Sequence, residues 1–137
     1  MPTTAARRAL AVFAGAHGIA HFAGTSDVFD RAARGEPVSW LAGGWEVSEP
    51  ALMRAFGVAW ALVAAAYVVV AVAVWRGQAR WPRALAGVTV ASLLLVAIAL
   101  WSSVIGLVLD VVLLAVAVWA ARHHPQTEKG AFRVHPA

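Results

Sequence analysis

The sequence has no cysteine and few charged residues. The absence of cysteine among 137 residues excludes disulfides, thiolate metal sites and thiol redox chemistry. Only 13% of the residues are charged whereas 61% are hydrophobic, which is more apolar material than a soluble domain of this length can bury. The chain therefore needs lipid as a solvent, and we expect an integral membrane protein.

The net charge of +4 does not indicate a nucleic-acid partner. The arginines stand at the ends of apolar segments and do not form a basic patch. We therefore expect the lipid bilayer as the main partner and no nucleic acid. Heavy use of Ala, Val, Arg and Gly is typical of GC-rich bacterial genomes, so the predicted location is a bacterial cytoplasmic (inner) membrane, crossed several times.

Four apolar segments alternate with polar or turn-like stretches. Since one membrane helix takes about 20 apolar residues, four of them account for nearly the whole sequence. We predict an all-α membrane four-helix bundle forming one domain over residues 1–121, with an outer loop over 25–49 and a cytoplasmic tail over 122–137. The predicted helices cover about residues 9–24, 51–75, 84–100 and 104–121.

Eight of the eleven basic residues fall on one side of this predicted bundle. The positive-inside rule makes that side cytoplasmic, so both chain ends are expected in the cytoplasm and the 25–49 loop, which is mostly acidic, outside. The basic residues on the cytoplasmic side are Arg7, Arg8, Arg76, Arg80, Arg83, Arg122, Lys129 and Arg133.

Ionisable side chains in the predicted spans converge in the outer half of the membrane. At about 1.5 Å per residue, four of them lie within roughly 12 Å of the outer helix ends. Ionisable groups in lipid normally face the bundle interior and find partners there. We therefore predict an outward-opening polar pocket. Its members are His17, His21, Arg54 and Asp110, whereas Tyr67, Thr89 and Ser92 fall in the cytoplasmic half.

His17 and His21 are four residues apart and therefore share one helix face. With Asp110 they are the predicted catalytic residues, a histidine acting as base and the carboxyl group as acid. Two structural alternatives stay open. The histidines can simply hydrogen-bond neighbouring helices, and Asp110 can form an ion pair with Arg54 that fixes helix register.

Further residues are predicted to bind a substrate because they stand near the outer ends of the helices or in the outer loop. The two loop tryptophans have an alternative role as anchors in the membrane interface. The predicted substrate-binding residues are Arg54, Trp60, Trp101, Ser102, Trp40 and Trp45.

The histidine spacing also matches that of zinc ligands on a helix, but the adjacent Glu of the protease motif is missing. We therefore predict no cofactor and no metal. Two alternatives stay open: a metal held by His17, His21 and Asp110, and a haem bound by one of the histidines.

From His17 to Asp110 the sequence resembles a group of small bacterial four-helix membrane proteins that open with a His-Gly-x-x-His element. In that pattern the third helix ends at Trp-Ser, and the fourth carries a Gly followed four residues later by Asn. The matching residues here are Trp101-Ser102, Gly106 and Asp110, with Asp in place of Asn and a turn one residue shorter. The resemblance implies the fold and a role for the histidine face, but no activity.

Three functions are compatible with these features. The first is an enzyme or binder acting on a lipophilic small molecule that enters from the outer leaflet, by isomerisation, cyclisation or hydrolysis. The second is an accessory or assembly subunit of a larger membrane complex. A homo-oligomer is a further possible partner in any of these readings. The third is a small proton-coupled transporter, against which the one-sided polar groups count, because alternating access needs a site near the membrane midplane.

Overall fold

The computed structural model describes residues 3–40, 45–98 and 104–123, which form four helices and one short hairpin. The predicted helical architecture is confirmed, whereas the antiparallel hairpin between the first two helices was not predicted. The elements are α1 (Thr4–Arg34), β1 (Val38–Trp40), β2 (Trp45–Val47), α2 (Pro50–Arg76), α3 (Trp81–Ile98) and α4 (Val104–His123).

Three of the described helices, α2, α3 and α4, are long and apolar enough to cross a membrane. Helix α1 does not belong to this group because histidines and glycines interrupt its apolar half and its second half is polar. Its 31 residues nevertheless give it a length of about 46 Å at 1.5 Å per residue, more than the roughly 30 Å of a hydrocarbon core.

The prediction that residues 25–49 form a loop was wrong for its first part, because α1 continues to Arg34. The polar residues there suit the outer face of a helix. Asp27 and Arg31 form an i, i+4 ion pair of 2.9 Å at the surface, while Val28 and Ala32 are buried on the opposite face. The polar stretch is therefore an amphipathic extension of α1 rather than a loop.

Helix α1 ends at Gly35, whose φ of 67° closes the helix and directs its N–H back to the carbonyl groups of the last turn. Arg34 donates two hydrogen bonds of 2.8 and 3.1 Å to the Glu36 carboxylate just beyond it. These hydrogen bonds lower the pKa of Glu36. The chain then turns into the hairpin.

The other predicted helix ranges agree with the structure to within a few residues. Helix α3 begins at Trp81, three residues before the predicted start, since a proline is tolerated at position 82 in the first helical turn. Its predicted end at residue 100 and most of the predicted tail, residues 124–137, lie outside the described residues.

The helices pack in chain order, α1 on α2, α2 on α3 and α3 on α4. By comparison, α1 and α4 have few close backbone approaches. Two apolar clusters fill the interior, one containing Leu85 and Leu113 and the other Met53 and Phe56. The α1–α4 seam is therefore the part of the bundle wall that is least closed by helix packing.

Close contact between α1 and α2 depends on Gly18. A Cβ atom at this position would lie 2.6 Å from the Tyr67 Cβ and 3.1 Å from the Ala64 carbonyl oxygen. Both neighbours are fixed parts of α2, so neither can move aside easily. Small residues permit such approaches between membrane helices, and Gly18 stands next to His17.

We predict that Gly18→Ala destabilises the bundle by roughly 1–3 kcal/mol, because the added methyl group forces α1 away from α2. Gly87→Ala is the matched control, since a Cβ at Gly87 on α3 meets no atom within 4 Å. That change should be neutral or stabilising. Thermal unfolding of both variants in the same detergent measures the difference, and equal midpoints would contradict the packing described here.

Candidate functional site

The carboxylate of Asp110 is fully buried in the centre of the bundle and receives side chains from the other three helices. His17 Nε2 on α1 and Tyr67 Oη on α2 lie 2.8 and 2.7 Å from its Oδ1 atom. Ser92 Oγ on α3 lies 2.6 Å from Oδ2. The prediction that His17 and Asp110 come together inside the bundle is therefore confirmed.

Two further side chains extend this cluster. The Nε2 atom of His21 lies 3.0 Å from Ser92 Oγ, so the second histidine reaches Asp110 through one hydroxyl group. On the other side Tyr67 Oη lies 3.1 Å from Thr89 Oγ1, whose own hydrogen goes to the Leu85 carbonyl oxygen. The network links polar side chains of all four described helices and is buried throughout.

The hydrogen-bond pattern fixes the direction of each proton. An ionised carboxylate only accepts, so the two hydroxyl groups and His17 Nε2–H donate to Asp110. The Ser92 hydroxyl has one hydrogen, which it donates to Asp110. Its oxygen therefore accepts a hydrogen bond from His21 Nε2–H. In its neutral form His17 carries its hydrogen on Nε2, which leaves a lone pair on Nδ1.

The two histidine rings belong to a compact aromatic group. His17 meets the edges of His21 and Tyr67, with ring centroids 4.8 and 5.0 Å apart. His21 stacks on Tyr67 at 5.8 Å and meets Trp60 at 4.9 Å. Trp60 is held in place partly by Gly24, where a Cβ would lie 2.9 Å from its ring. These contacts restrict the orientation of both imidazoles.

A cavity of about 210 Å³ borders this cluster at the α1–α4 seam. Its inner wall is formed by buried side chains and its outer wall by more exposed ones, including Ala20 on α1 and Ile105 on α4, which is 77% exposed. It is therefore partly open to the side of the bundle. The lining residues are His17, Ala20, His21, Trp60, Val96, Ile105, Gly106 and Leu109.

Two of the residues that line this cavity each carry a buried nitrogen atom with no hydrogen-bond partner among the described residues. They are His17 Nδ1 and Trp60 Nε1. Both side chains belong to residues that are only 6% exposed, so neither atom is satisfied by surrounding solvent. Unpaired polar atoms in such positions are costly and require an explanation.

The histidines lie near the middle of α1, which corrects their predicted position near its outer end. Thirteen residues of α1 precede His17 and seventeen follow it. The depth of the histidines was underestimated because α1 was expected to end ten residues earlier. Asp110 keeps its predicted position, with six residues of α4 before it and thirteen after it.

The predicted site residues divide into three groups. His17, His21, Trp60 and Asp110 come together in the cluster or at its cavity. Arg54 does not, since it lies exposed in the second turn of α2, and its predicted place in the pocket was wrong. The depth of a residue along a helix does not specify the face on which it lies. Outside the described residues fall Trp101, Ser102 and the side chains of Trp40 and Trp45.

Sequence reasoning missed three polar members of the cluster: Tyr67, Thr89 and Ser92. A signal was present in the spacing. Thr89 and Ser92 are three residues apart and lie on one face of α3, and Trp60 and Tyr67, seven apart, lie on one face of α2. A search for polar or aromatic residues that share a helix face would have found them. The estimate of depth along each helix instead separated them from the histidines.

The same residues bear on the open question of a metal. Ligand atoms of His17, His21 and Asp110 lie within 4.8 Å of one another, so the three side chains could converge on one ion. The carboxylate oxygens instead accept three hydrogen bonds, and His17 uses Nε2 for one of them. The prediction of no metal stays a prediction.

No protein-family model, curated protein or solved structure matched the chain. The resemblance to small four-helix membrane proteins with a His-Gly-x-x-His element therefore stays a prediction, and any function has to be argued from the site itself.

We predict that Asp110→Ala lowers the stability of the protein by about 3–5 kcal/mol, because three buried donors lose their acceptor. The matched control is Asp27→Ala, which removes a surface carboxylate whose ion pair with Arg31 is half exposed and worth less than about 1 kcal/mol. Thermal unfolding in detergent compares the two. A similar small loss in both variants would show that the buried network does not support the fold.

Asp110→Asn separates a structural from a functional role, because the amide keeps the shape of the side chain but not its charge. Retained stability with loss of ligand binding or turnover identifies a functional acid. A loss of stability equal to that of Asp110→Ala identifies a residue that only holds the helices together.

Proposed function

We propose that all four helices cross a bacterial cytoplasmic membrane, with both chain ends in the cytoplasm. Three helices are apolar enough by themselves, and α1 is about 46 Å long with its cluster residues turned inward. Its polar end, with the ion pairs of Arg31 and Arg34, then lies with the hairpin beyond the outer surface. The basic residues at the opposite end favour the cytoplasmic side.

This orientation predicts that a cysteine at Ser39, in the exposed part of β1, reacts with an impermeant maleimide in whole cells. A cysteine at Gln126 should be protected until the membrane is opened. Since the natural chain has no cysteine, each variant reports one site only. Labelling at Gln126 but not at Ser39 would reverse the proposed orientation.

We further propose that the protein is an enzyme or binder for a lipophilic small molecule, which occupies the cavity at the α1–α4 seam. One observation carries this proposal: His17, a histidine paired with Asp110 and with no partner at Nδ1 among the described residues, lines a cavity that opens through the side of the bundle. The rim residues Ala20 and Ile105 are apolar and exposed, so a ligand dissolved in the membrane could enter directly from lipid.

The chemistry follows from the pairing of His17 with Asp110. His17 Nδ1 takes a proton from a bound molecule, and the imidazolium that forms is stabilised by the carboxylate at Nε2. The same nitrogen returns the proton to the ligand at another atom, which is the requirement of an isomerisation. Asp110 acts here as the charged partner of the base rather than as the acid expected from sequence.

The other two functions stay predictions. The hydrogen-bond network also includes Tyr67 and Thr89, which were expected in the cytoplasmic half, so the argument from one-sided polar groups against a proton-coupled transporter is weaker. An accessory subunit would use the exposed apolar surface of α4, whose composition suits a lipid neighbour equally well. Neither explains why a buried base borders a cavity.

The test is extraction of bound lipophiles from purified protein, followed by mass spectrometry. Wild-type protein should carry a species that is enriched over the bulk lipid, and His17→Gln should lose it, because glutamine can still donate to Asp110 but lacks a basic nitrogen. His123→Gln, a change at an exposed histidine at the end of α4, is the matched control and should retain the species. Identical extracts from all three proteins would contradict the proposal.

A further inference from the structure

Charge is distributed unevenly between the two ends of the bundle. The end at which α1 begins and α2 ends carries several arginines, among them Arg7, Arg8, Arg76 and Arg122. The acidic side chains of the described residues lie elsewhere, in the second half of α1, in or beside the hairpin and, for Asp110, in the centre of the bundle. Among the described residues the arginine-rich end therefore has an excess of positive charge.

Arg8 is the best placed of these arginines to bind an external group. Its Cζ atom lies 5.1 Å from the centre of the Trp75 ring, a cation–π contact between α1 and the last turn of α2. Both side chains are exposed. A guanidinium group has five N–H donors, so contact with one aromatic ring leaves several of them for another partner. The planar group can bind two oxygens of one phosphate at once.

A second guanidinium group lies against the same turn of α2. A Cβ atom at Gly77 would lie 2.9 Å from both Cζ and Nη1 of Arg7, so this side chain rests directly on the residue that ends α2. Arg76, which precedes Gly77, is exposed. Three positive charges thus lie where the start of α1 meets the end of α2, and their mutual repulsion favours a bound anion.

Exposed apolar side chains continue from these arginines along the α1–α2 seam towards the middle of the bundle. Arg8 and Val12 are four residues apart and share one face of α1. Trp75, Val72 and Val68 share one face of α2, and the contact of Arg8 with Trp75 places the two faces side by side. The three valines are between 39% and 63% exposed. A hydrocarbon chain along this seam would have its polar end at the arginines.

We infer that this end of the α1–α2 seam binds one anionic phospholipid, with its phosphate on Arg8 and an acyl chain along the three valines. Trp75 is the positioning residue, because its ring holds the Arg8 guanidinium at the level of the headgroups. Basic sites between membrane helices on the cytoplasmic side bind anionic headgroups in this way. The inference rests on the proposed membrane placement of this end and not on the proposed ligand of the cavity.

The chemistry of the seam selects among phosphate-bearing molecules. Phosphatidylcholine carries the same phosphate group but adds an ammonium group, which Arg7 and Arg76 repel. Phosphatidylglycerol has the phosphate charge without that cation. Free inorganic phosphate has no hydrocarbon to cover the valines and loses the contribution of apolar burial. A lipid with a net negative headgroup therefore fits both parts of the seam.

The experiment is native mass spectrometry of the detergent-purified protein with added dioleoyl-phosphatidylglycerol or dioleoyl-phosphatidylcholine, which differ only in the headgroup. We expect phosphatidylglycerol to bind about tenfold more tightly, a ratio that corresponds to one hydrogen bond to a charged group. The preference should persist when inorganic phosphate is added in excess. Because the affinities are measured in detergent, they test the site independently of the leaflet that this end faces.

Arg8→Gln should remove most of this preference, because glutamine has one neutral amide in place of the charged guanidinium. Arg122→Gln is the matched control, since it removes an exposed arginine at the same end of the bundle but from the last turn of α4. Trp75→Leu should also lower the ratio of the two affinities, whereas Trp119→Leu, at a tryptophan of α4 that is equally exposed, should not. Thermal unfolding without added lipid checks that the four variants fold.

Three results would overturn the inference. The first is equal affinity of the wild-type protein for the two lipids. The second is an equal loss of preference in Arg8→Gln and Arg122→Gln, which would show that only the total charge of this end matters. The third is displacement of phosphatidylglycerol by inorganic phosphate, which would assign the arginines to a free anion. None of these results would alter the proposal of a lipophile in the cavity.

Discussion

The structure depends on one buried carboxylate. Asp110 is the single acidic residue in an otherwise apolar helix, and in a low-dielectric interior its charge has to be met by hydrogen-bond donors. The bundle supplies three, one from each of the other helices. Each donor reaches the carboxylate only in one rotation and one height of its helix. The hydrogen bonds of a single side chain thereby fix the register of all four described helices.

The need of Asp110 for hydrogen-bond donors also determines which ring nitrogen of His17 carries the hydrogen. Because Nε2 of His17 serves Asp110, the proton of the neutral ring is held there and Nδ1 is left as a base. The α4 residues near His17 are Ile105, Gly106 and Leu109, which offer this nitrogen no side-chain donor. The seam between α1 and α4 stays partly open, and the cavity lies there. Nε2 of His17 therefore supports the structure, while Nδ1 of the same ring is left as a base.

Much of this arrangement could be predicted from the sequence. The apolar segments specified three helices closely, and the rule that intramembrane ionisable groups find partners predicted that Asp110 pairs with Arg54, His17 or His21. The length of α1 could not be read from hydropathy, because residues 25–34 alternate between a polar and an apolar face and resemble a loop in composition. That error displaced the histidines along the bundle axis and separated them from Tyr67 and Ser92.

The placement of Arg54 failed for a different physical reason. An arginine has a long side chain that keeps its charge at a membrane surface while the backbone lies deeper, so its position along the helix does not require a buried partner. A short carboxylate such as Asp110 lacks this freedom. The position of a residue along a membrane helix therefore predicts a buried partner better for aspartate than for arginine.

The central claim is that His17 donates its Nε2–H to Asp110 and keeps Nδ1 as an unpaired base. Nitrogen NMR of protein with isotope-labelled histidine measures this directly, since protonated and unprotonated ring nitrogens have well-separated shifts, and the His17→Gln spectrum assigns the signals. The account predicts a protonated Nε2 and an unprotonated Nδ1 for His17 in ligand-free protein. A hydrogen on Nδ1 would contradict it.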